Sequence, residues 1–250
     1  MAFNPSCEHC IAERVQAALN AEAPPAPCHR HAESDPKQTI RKELTQCQYC
    51  YKSKGSGVTL RSCAACEVDM YCSKACQKAA WKVHKTKCAL NRKTNALPAQ
   101  RMDALKALRT FTSKHRPTIA EGGLRALNVF ADPARAERDI LLIAVRPRAD
   151  SIRPETAYFV TMLSVIPIES FATNKSHEME MRGQLKQASD DQKRRGFAGA
   201  IFVVLFDTDG VMSNIAAVGF EKNVPGGLPP LIGATWEEWV TKRLNEGIVV

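Results

Sequence analysis

The chain has 250 residues, 44% of them hydrophobic and 24% charged, with a formal net charge of +9. That is room for one sizeable folded domain with a smaller one beside it, and the composition excludes a disordered polyelectrolyte. No apolar run approaches the ~20 residues that a membrane span needs, so no membrane partner is expected.

The start, Met1-Ala2-Phe3-Asn4-Pro5-Ser6-Cys7, has no basic stretch followed by an apolar core, so a secretory signal is not expected either. The expected setting is intracellular and reducing, cytoplasm or nucleus. There the ten cysteines, all at or before Cys88, read as metal ligands rather than disulfides. The charge is uneven. Residues 1–38 carry three Lys/Arg against five Asp/Glu, residues 39–96 twelve against three, and residues 97–250 twenty against eighteen. The excess therefore sits on the cysteine-rich segment. Seven thiolates at −1 and two Zn²⁺ at +2 would bring that segment from +9 to +6.

Residues 1–38 form an N-terminal Cys/His segment. Cys7-x2-Cys10 opens it. Ile11, Val15, Ala18 and Leu19 then fall on one helical stripe. Ala23-Pro24-Pro25-Ala26-Pro27 ends that stripe, because proline cannot continue a helix. Cys28, His29 and His31 follow. Cys7, Cys10, Cys28 and His31 make a candidate third metal site, with His29 as a competing ligand. The alternative is a tail with unpaired thiols, and three zinc ions per chain or two would separate the readings.

Residues 47–88 hold the strongest signal: Cys47-x2-Cys50, Cys63-x2-Cys66, Cys72-x3-Cys76 and His84-x3-Cys88. A Cys-x2-Cys knuckle aims two sulfurs at one ion, and ligands four apart share a helix face. Thiolate and imidazole suit zinc, which takes four ligands tetrahedrally in structural sites. Eight ligands divide into two closed sites with no position left for water, so the metal is structural and not catalytic. Spacing alone leaves sequential and interleaved pairing both open.

These residues resemble the MYND zinc finger family. Tyr71 before Cys72, then Ser73-Lys74-Ala75-Cys76-Gln77, Trp81 and His84, follow that family's second half, with Ala80 a small departure. The gap of twelve residues between Cys50 and Cys63 is slightly long, and Gly55-Ser56-Gly57 takes up the slack. The resemblance implies a small cross-braced module with little regular structure. In it one zinc takes Cys47, Cys50, Cys72 and Cys76, and the other takes Cys63, Cys66, His84 and Cys88. It also implies a protein or proline-containing peptide as partner, held on a face that includes Gln77 and Trp81. The plainer alternative for Trp81 is packing of the mini-core.

Asn91–Gln100 is polar and reads as a linker. Residues 101–250 read as an α+β domain with a mostly antiparallel sheet. Met102, Leu105, Leu108 and Phe111 fit one helix face, and a second helix is expected over Thr118–Phe130, weakened by Gly122-Gly123. Strands are expected at Ile140–Val145, Tyr158–Ile168, Ala198–Phe206 and Val211–Phe220. The last two flank Asp207-Thr208-Asp209-Gly210, a hairpin signal. Helices are expected over Ser176–Arg195 and Trp236–Leu244.

The overall expectation is a non-enzymatic adaptor acting through the finger. Some MYND proteins carry a SET-type methyltransferase, but its Asn-His-Ser type motif is missing here. His177-Glu178 lacks the second histidine of a zinc-protease motif, since Met181 stands there. Asp207 and Asp209 suit the turn better than catalysis, and Gly226–Leu231 suits a loop better than a ligand for the finger. The competing reading is an enzyme of unrecognised type in residues 101–250, with the finger as accessory. A third is a nucleic-acid-binding regulator, suggested by Lys74, Lys78, Lys82, Lys85 and Lys87. No Arg-rich reading head or aromatic platform accompanies those lysines, which favours a solvated helix face.

Overall fold

A computed structural model describes residues 22–94, 97–209, 212–221 and 227–250. The Cys7–Cys10 knuckle and the Ile11–Leu19 stripe lie outside the described residues.

The domain is built on a four-stranded sheet of order β4-β3-β5-β6. The strands are β3 Asp139–Pro147, β4 Tyr158–Pro167, β5 Gly199–Asp207 and β6 Met212–Phe220. β4 and β6 pair antiparallel with their inner neighbours, and Asp207 faces Met212 across the β5–β6 hairpin. The two inner strands, β3 and β5, run parallel, with Ile140 opposite Phe202. The sheet is therefore mixed rather than mostly antiparallel. The reason is the long helix between β4 and β5, which carries the chain back across the sheet so that β5 starts in the direction of β3.

Helices cover both faces. In chain order they are α1 Thr39–Leu44, α2 Lys74–Thr94, α3 Ala99–Lys114, α4 Arg116–Leu127, α5 Arg135–Arg138, α6 Ile168–Phe171, α7 Lys175–Arg194 and α8 Trp236–Asn245. Two of their starts are written in the sequence. Asn174 caps α7 by accepting from His177 N–H at 2.9 Å, and Thr235 with Glu238 forms a capping box on α8.

Ile201, Val203 and Leu205 of β5 pack with Leu108, Phe111, Ile119 and Leu127 of α3 and α4 and with Val240 and Leu244 of α8. Phe202 and Val204 point the other way, onto Ile168, Met181 and Leu185 of α6 and α7. β5 is thus buried on both faces, which is why it reads as an unbroken apolar run. Each such side chain contributes about 1.5–3 kcal/mol on full burial.

The Gly122-Gly123 pair sits where α4 meets the sheet and α8. A Cβ at Gly123 would stand 2.6 Å from Val203 Cγ2, and one at Gly122 would stand 2.6 Å from Val240 Cγ2. Close packing demands glycine there, against local helix propensity.

The described part of the N-terminal segment lies on this domain. Arg148 Nε donates to the Pro24 carbonyl at 3.0 Å, and one Arg153 amino group donates to Pro27 and His29 carbonyls at 2.7 and 2.9 Å. Asp35 N–H donates to Val249 and Arg41 N–H to Val250. The finger is therefore inserted between two stretches that pack together. Leu228–Leu231 lies beside α4 and α8, where Arg125 donates to the Pro229 carbonyl at 2.8 Å.

Candidate metal centre

The finger is a short ribbon and one long helix. β1, Arg61–Ser62, pairs antiparallel with β2, Met70–Tyr71. Helix α2 continues past Cys88 to Thr94, so the module holds more regular structure than expected and the linker is shorter. Ser73 starts α2, its Oγ accepting from Cys76 N–H at 3.1 Å.

The two Cys-x2-Cys knuckles have matching backbones. Tyr51 N–H donates to the Cys47 carbonyl at 3.0 Å, and Glu67 N–H donates to the Cys63 carbonyl at 2.8 Å. Each turn closes on a residue with positive φ, 61° at Tyr51 and 59° at Glu67. A left-handed non-glycine residue costs roughly 1–2 kcal/mol, so the surroundings must hold it. Gln48 N–H donates to the Met70 carbonyl at 2.9 Å, tying the first knuckle to the ribbon.

These elements gather two groups of four: Cys47, Cys50, Cys72 and Cys76, and Cys63, Cys66, His84 and Cys88. Within each, the sulfur and nitrogen atoms lie within 4.8 Å of one another. The grouping is interleaved along the chain. Cys50 Sγ and Cys76 Sγ each stand 3.5 Å from Cys72 Sγ, and His84 Nε2 stands 3.7 Å from Cys66 Sγ. A zinc tetrahedron with ~2.3 Å bonds to sulfur has edges of about 3.8 Å, so the donor sets fit two zinc ions. Both are zinc-binding clusters, closed by four protein donors each.

The thiols are unequal. Burial opposes ionisation of Cys47, but the amides of Cys50, Cys72 and Tyr49 outweigh it and lower the thiol to about 6. Burial likewise opposes ionisation of Cys63, yet the Cys66 amide, contact with His84 and the Ala65 amide bring it to about 6. Neighbouring thiols at Cys50 and Cys76 push Cys72 up to about 12. Burial and the nearby Cys66 and Cys63 push Cys88 up to about 11. Thiols this close cannot all ionise on their own, and a dication is the natural balance.

Around the second cluster, His84 is wedged edge-on between Tyr71 and Trp81, with ring centroids at 5.7 and 6.0 Å. Tyr71 is buried, whereas Trp81 is 46% exposed. Gln77 does not point outward: its Nε2 donates to Cys63 Sγ at 3.4 Å. Asp69 is a site residue that no motif in the sequence marks. It is buried, with Oδ2 2.9 Å from His84 Nδ1 and Oδ1 2.8 Å from Lys87 Nζ. The available signal was an acidic residue in a segment with only three acids among residues 39–96.

Of the candidate third site, only Cys28 and His31 are described. Cys28 is exposed. His31 faces elsewhere, with Nε2 3.0 Å from Glu246 Oε2 and Nδ1 accepting from Glu33 N–H.

A closed two-cluster scaffold with interleaved ligands defines a cross-braced zinc finger. The family model for the MYND finger matches residues 44–88, and that segment is a MYND-type finger. A SET and MYND domain-containing protein of Dictyostelium discoideum is 38% identical over 55 residues, 21% of this chain and 10% of its own length. The histone-lysine N-methyltransferase ASHR1 of Arabidopsis thaliana is 41% identical over 44 residues, 18% of this chain and 8% of its own. The chain thus spans about a tenth of the length of these relatives, in the finger alone. No solved structure matches the chain.

Proposed function

We propose that this protein is an adaptor that recruits a protein partner through its finger, a proline-containing peptide being the favoured ligand. In this reading the eight clustered residues are the ligands of two structural zinc ions. The carrying observation is Trp81, 46% exposed on the same helix that supplies Cys76, His84 and Cys88. An aromatic side chain mounted on a metal-fixed helix is a rigid anchor, and such anchors dominate peptide-binding energy. Gln77 acts from behind, by holding Cys63, rather than as a contact.

Seven of the eight described cysteines stand in the two donor clusters, and this reading places the protein in a reducing, intracellular setting. The lysine face of α2 has no role in this reading. Lys87 is engaged by Asp69, and Lys74, Lys78, Lys82 and Lys85 stand exposed as a solvated face would. The relative that is a histone-lysine methyltransferase is matched over 8% of its length, in the finger alone, and no reaction is carried over from it.

The test compares captured proteins for the full-length wild type, Trp81→Ala and Cys72→Ser. Loss of an anchor worth about 2 kcal/mol weakens binding roughly 30-fold. Trp81→Ala should therefore lose the partners while keeping both zincs, and Cys72→Ser should lose the partners with the metal. Partners retained by both variants would refute the reading.

A further inference from the structure

We propose that Asp69 is the positioning residue of the second zinc cluster: its carboxylate accepts from His84 Nδ1–H and so presents Nε2 to the metal. The proposal rests on the two-zinc reading.

A buried carboxylate is costly unless it is paired. Asp69 is only 7% exposed, and both its oxygens are committed, Oδ2 at 2.9 Å from His84 Nδ1 and Oδ1 at 2.8 Å from Lys87 Nζ. His84 is 3% exposed, and its buried Nδ1 meets no well-aligned hydrogen-bond acceptor among the described residues; the Asp69 carboxylate, 2.9 Å away, is the group it approaches. The opposite nitrogen, Nε2, faces the thiols, 3.7 Å from Cys66 Sγ. One nitrogen is thus turned to the donor set and the other to a carboxylate, the arrangement that fixes an imidazole's tautomer and strengthens it as a ligand.

Asp69 is itself held. Its carbonyl accepts from Cys63 N–H at 2.8 Å, and β2 begins at the next residue. The same residue therefore touches two members of one cluster, Cys63 through the backbone and His84 through the side chain. Charge supports the triad. Three thiolates and Zn²⁺ leave −1, the carboxylate adds −1, and the Lys87 ammonium offsets it.

The test uses the full-length zinc protein as wild type, Asp69→Asn and Asp69→Ala. Zinc content is measured, chelator competition gives the affinity of each site, and cobalt(II) substitution separates the all-thiolate site from the mixed one. Long-range ¹H–¹⁵N correlation reads the His84 tautomer. Wild type should bind two zincs, with the His84 proton on Nδ1. Asp69→Ala should weaken the mixed site about 10- to 100-fold and leave the all-thiolate site nearly unchanged. Asp69→Asn, which keeps an acceptor oxygen, should recover part of that loss. A wild-type His84 protonated on Nε2 would overturn the proposal, as would equal weakening of both sites. If Asp69→Ala does not fold, the wild-type tautomer and the Asn variant decide. Fewer than two zincs on wild type would instead overturn the zinc reading beneath it.

Discussion

Stripping the zinc with a strong chelator at neutral pH should melt the finger and leave the sheet domain folded. The apolar core of the finger is small. Tyr71 and Ala80 are its only buried non-cysteine apolar residues among those described, with Leu60 and Val68 partly buried beside them. So little buried area cannot order the segment, and metal binding, on the order of 10 kcal/mol per site, supplies what packing lacks. The size of the signal follows from the helices. Among the described residues, α2 holds 21 of the 93 that are in α-helices. An isolated helix of this length in water is marginal. Circular dichroism at 222 nm should therefore fall by up to about a fifth. The thermal transition of the sheet domain, whose core shares no residue with the finger's, should remain. An unchanged spectrum after two zincs are shown to have left would refute the argument.

Two further outcomes follow from particular atoms. Without zinc the finger is unfolded, and thiols at their ordinary pKa of ~8.5 are mostly protonated at pH 7. Zinc needs thiolates, so loading should release at least two protons per chain, read with an indicator dye in weak buffer. Affinity should accordingly rise with pH up to about the ordinary thiol pKa of 8.5. No proton release would contradict the thiol assignments. Gly123→Ala sets helix propensity against packing. The propensity gain is about 0.8–1 kcal/mol. A Cβ at 2.6 Å from Val203 and 2.9 Å from Ile201 costs about 1–3 kcal/mol. The net should be a loss on the order of 1 kcal/mol in urea unfolding, and a gain in stability would show that the contact relaxes freely.

The metal clusters were legible in the sequence because ligand chemistry is local. Cysteine pairs at fixed spacing declare a knuckle wherever the chain goes. Interleaving was not legible from spacing. It depends on the antiparallel β1–β2 ribbon, which puts Cys63 just past one end and Cys72 just past the other, so that the two join different clusters. Asp69 was hidden for the same reason, since its partner His84 lies fifteen residues on and reaches it only through the fold. In the sheet domain, strand and helix positions followed periodicity closely, as at Tyr158–Pro167 and Lys175–Arg194. Strand order did not, because nothing in β3 or β5 alone says that they are neighbours. The return of Asp35–Arg41 onto Val249 and Val250 was equally invisible, as contacts across more than two hundred residues leave no local pattern.

The placement of α2 joins these threads. It carries three of the eight metal donors and the exposed Trp81, and it also touches the sheet domain, where Gln187 Nε2 donates to the Val83 carbonyl at 3.1 Å. A second link is Arg195, stacked 4.0 Å over the Tyr51 ring beside the first knuckle. Both links are a few polar or cation–π contacts, worth on the order of 1 kcal/mol each. They are too weak to hold α2 helical on their own, but strong enough to orient it once zinc has made it a helix. If Trp81 is the anchor proposed above, it is displayed to a partner only in the metal-loaded finger, and metal loading and partner affinity form one coupled equilibrium, with zinc binding tightened by the partner as much as the partner by zinc.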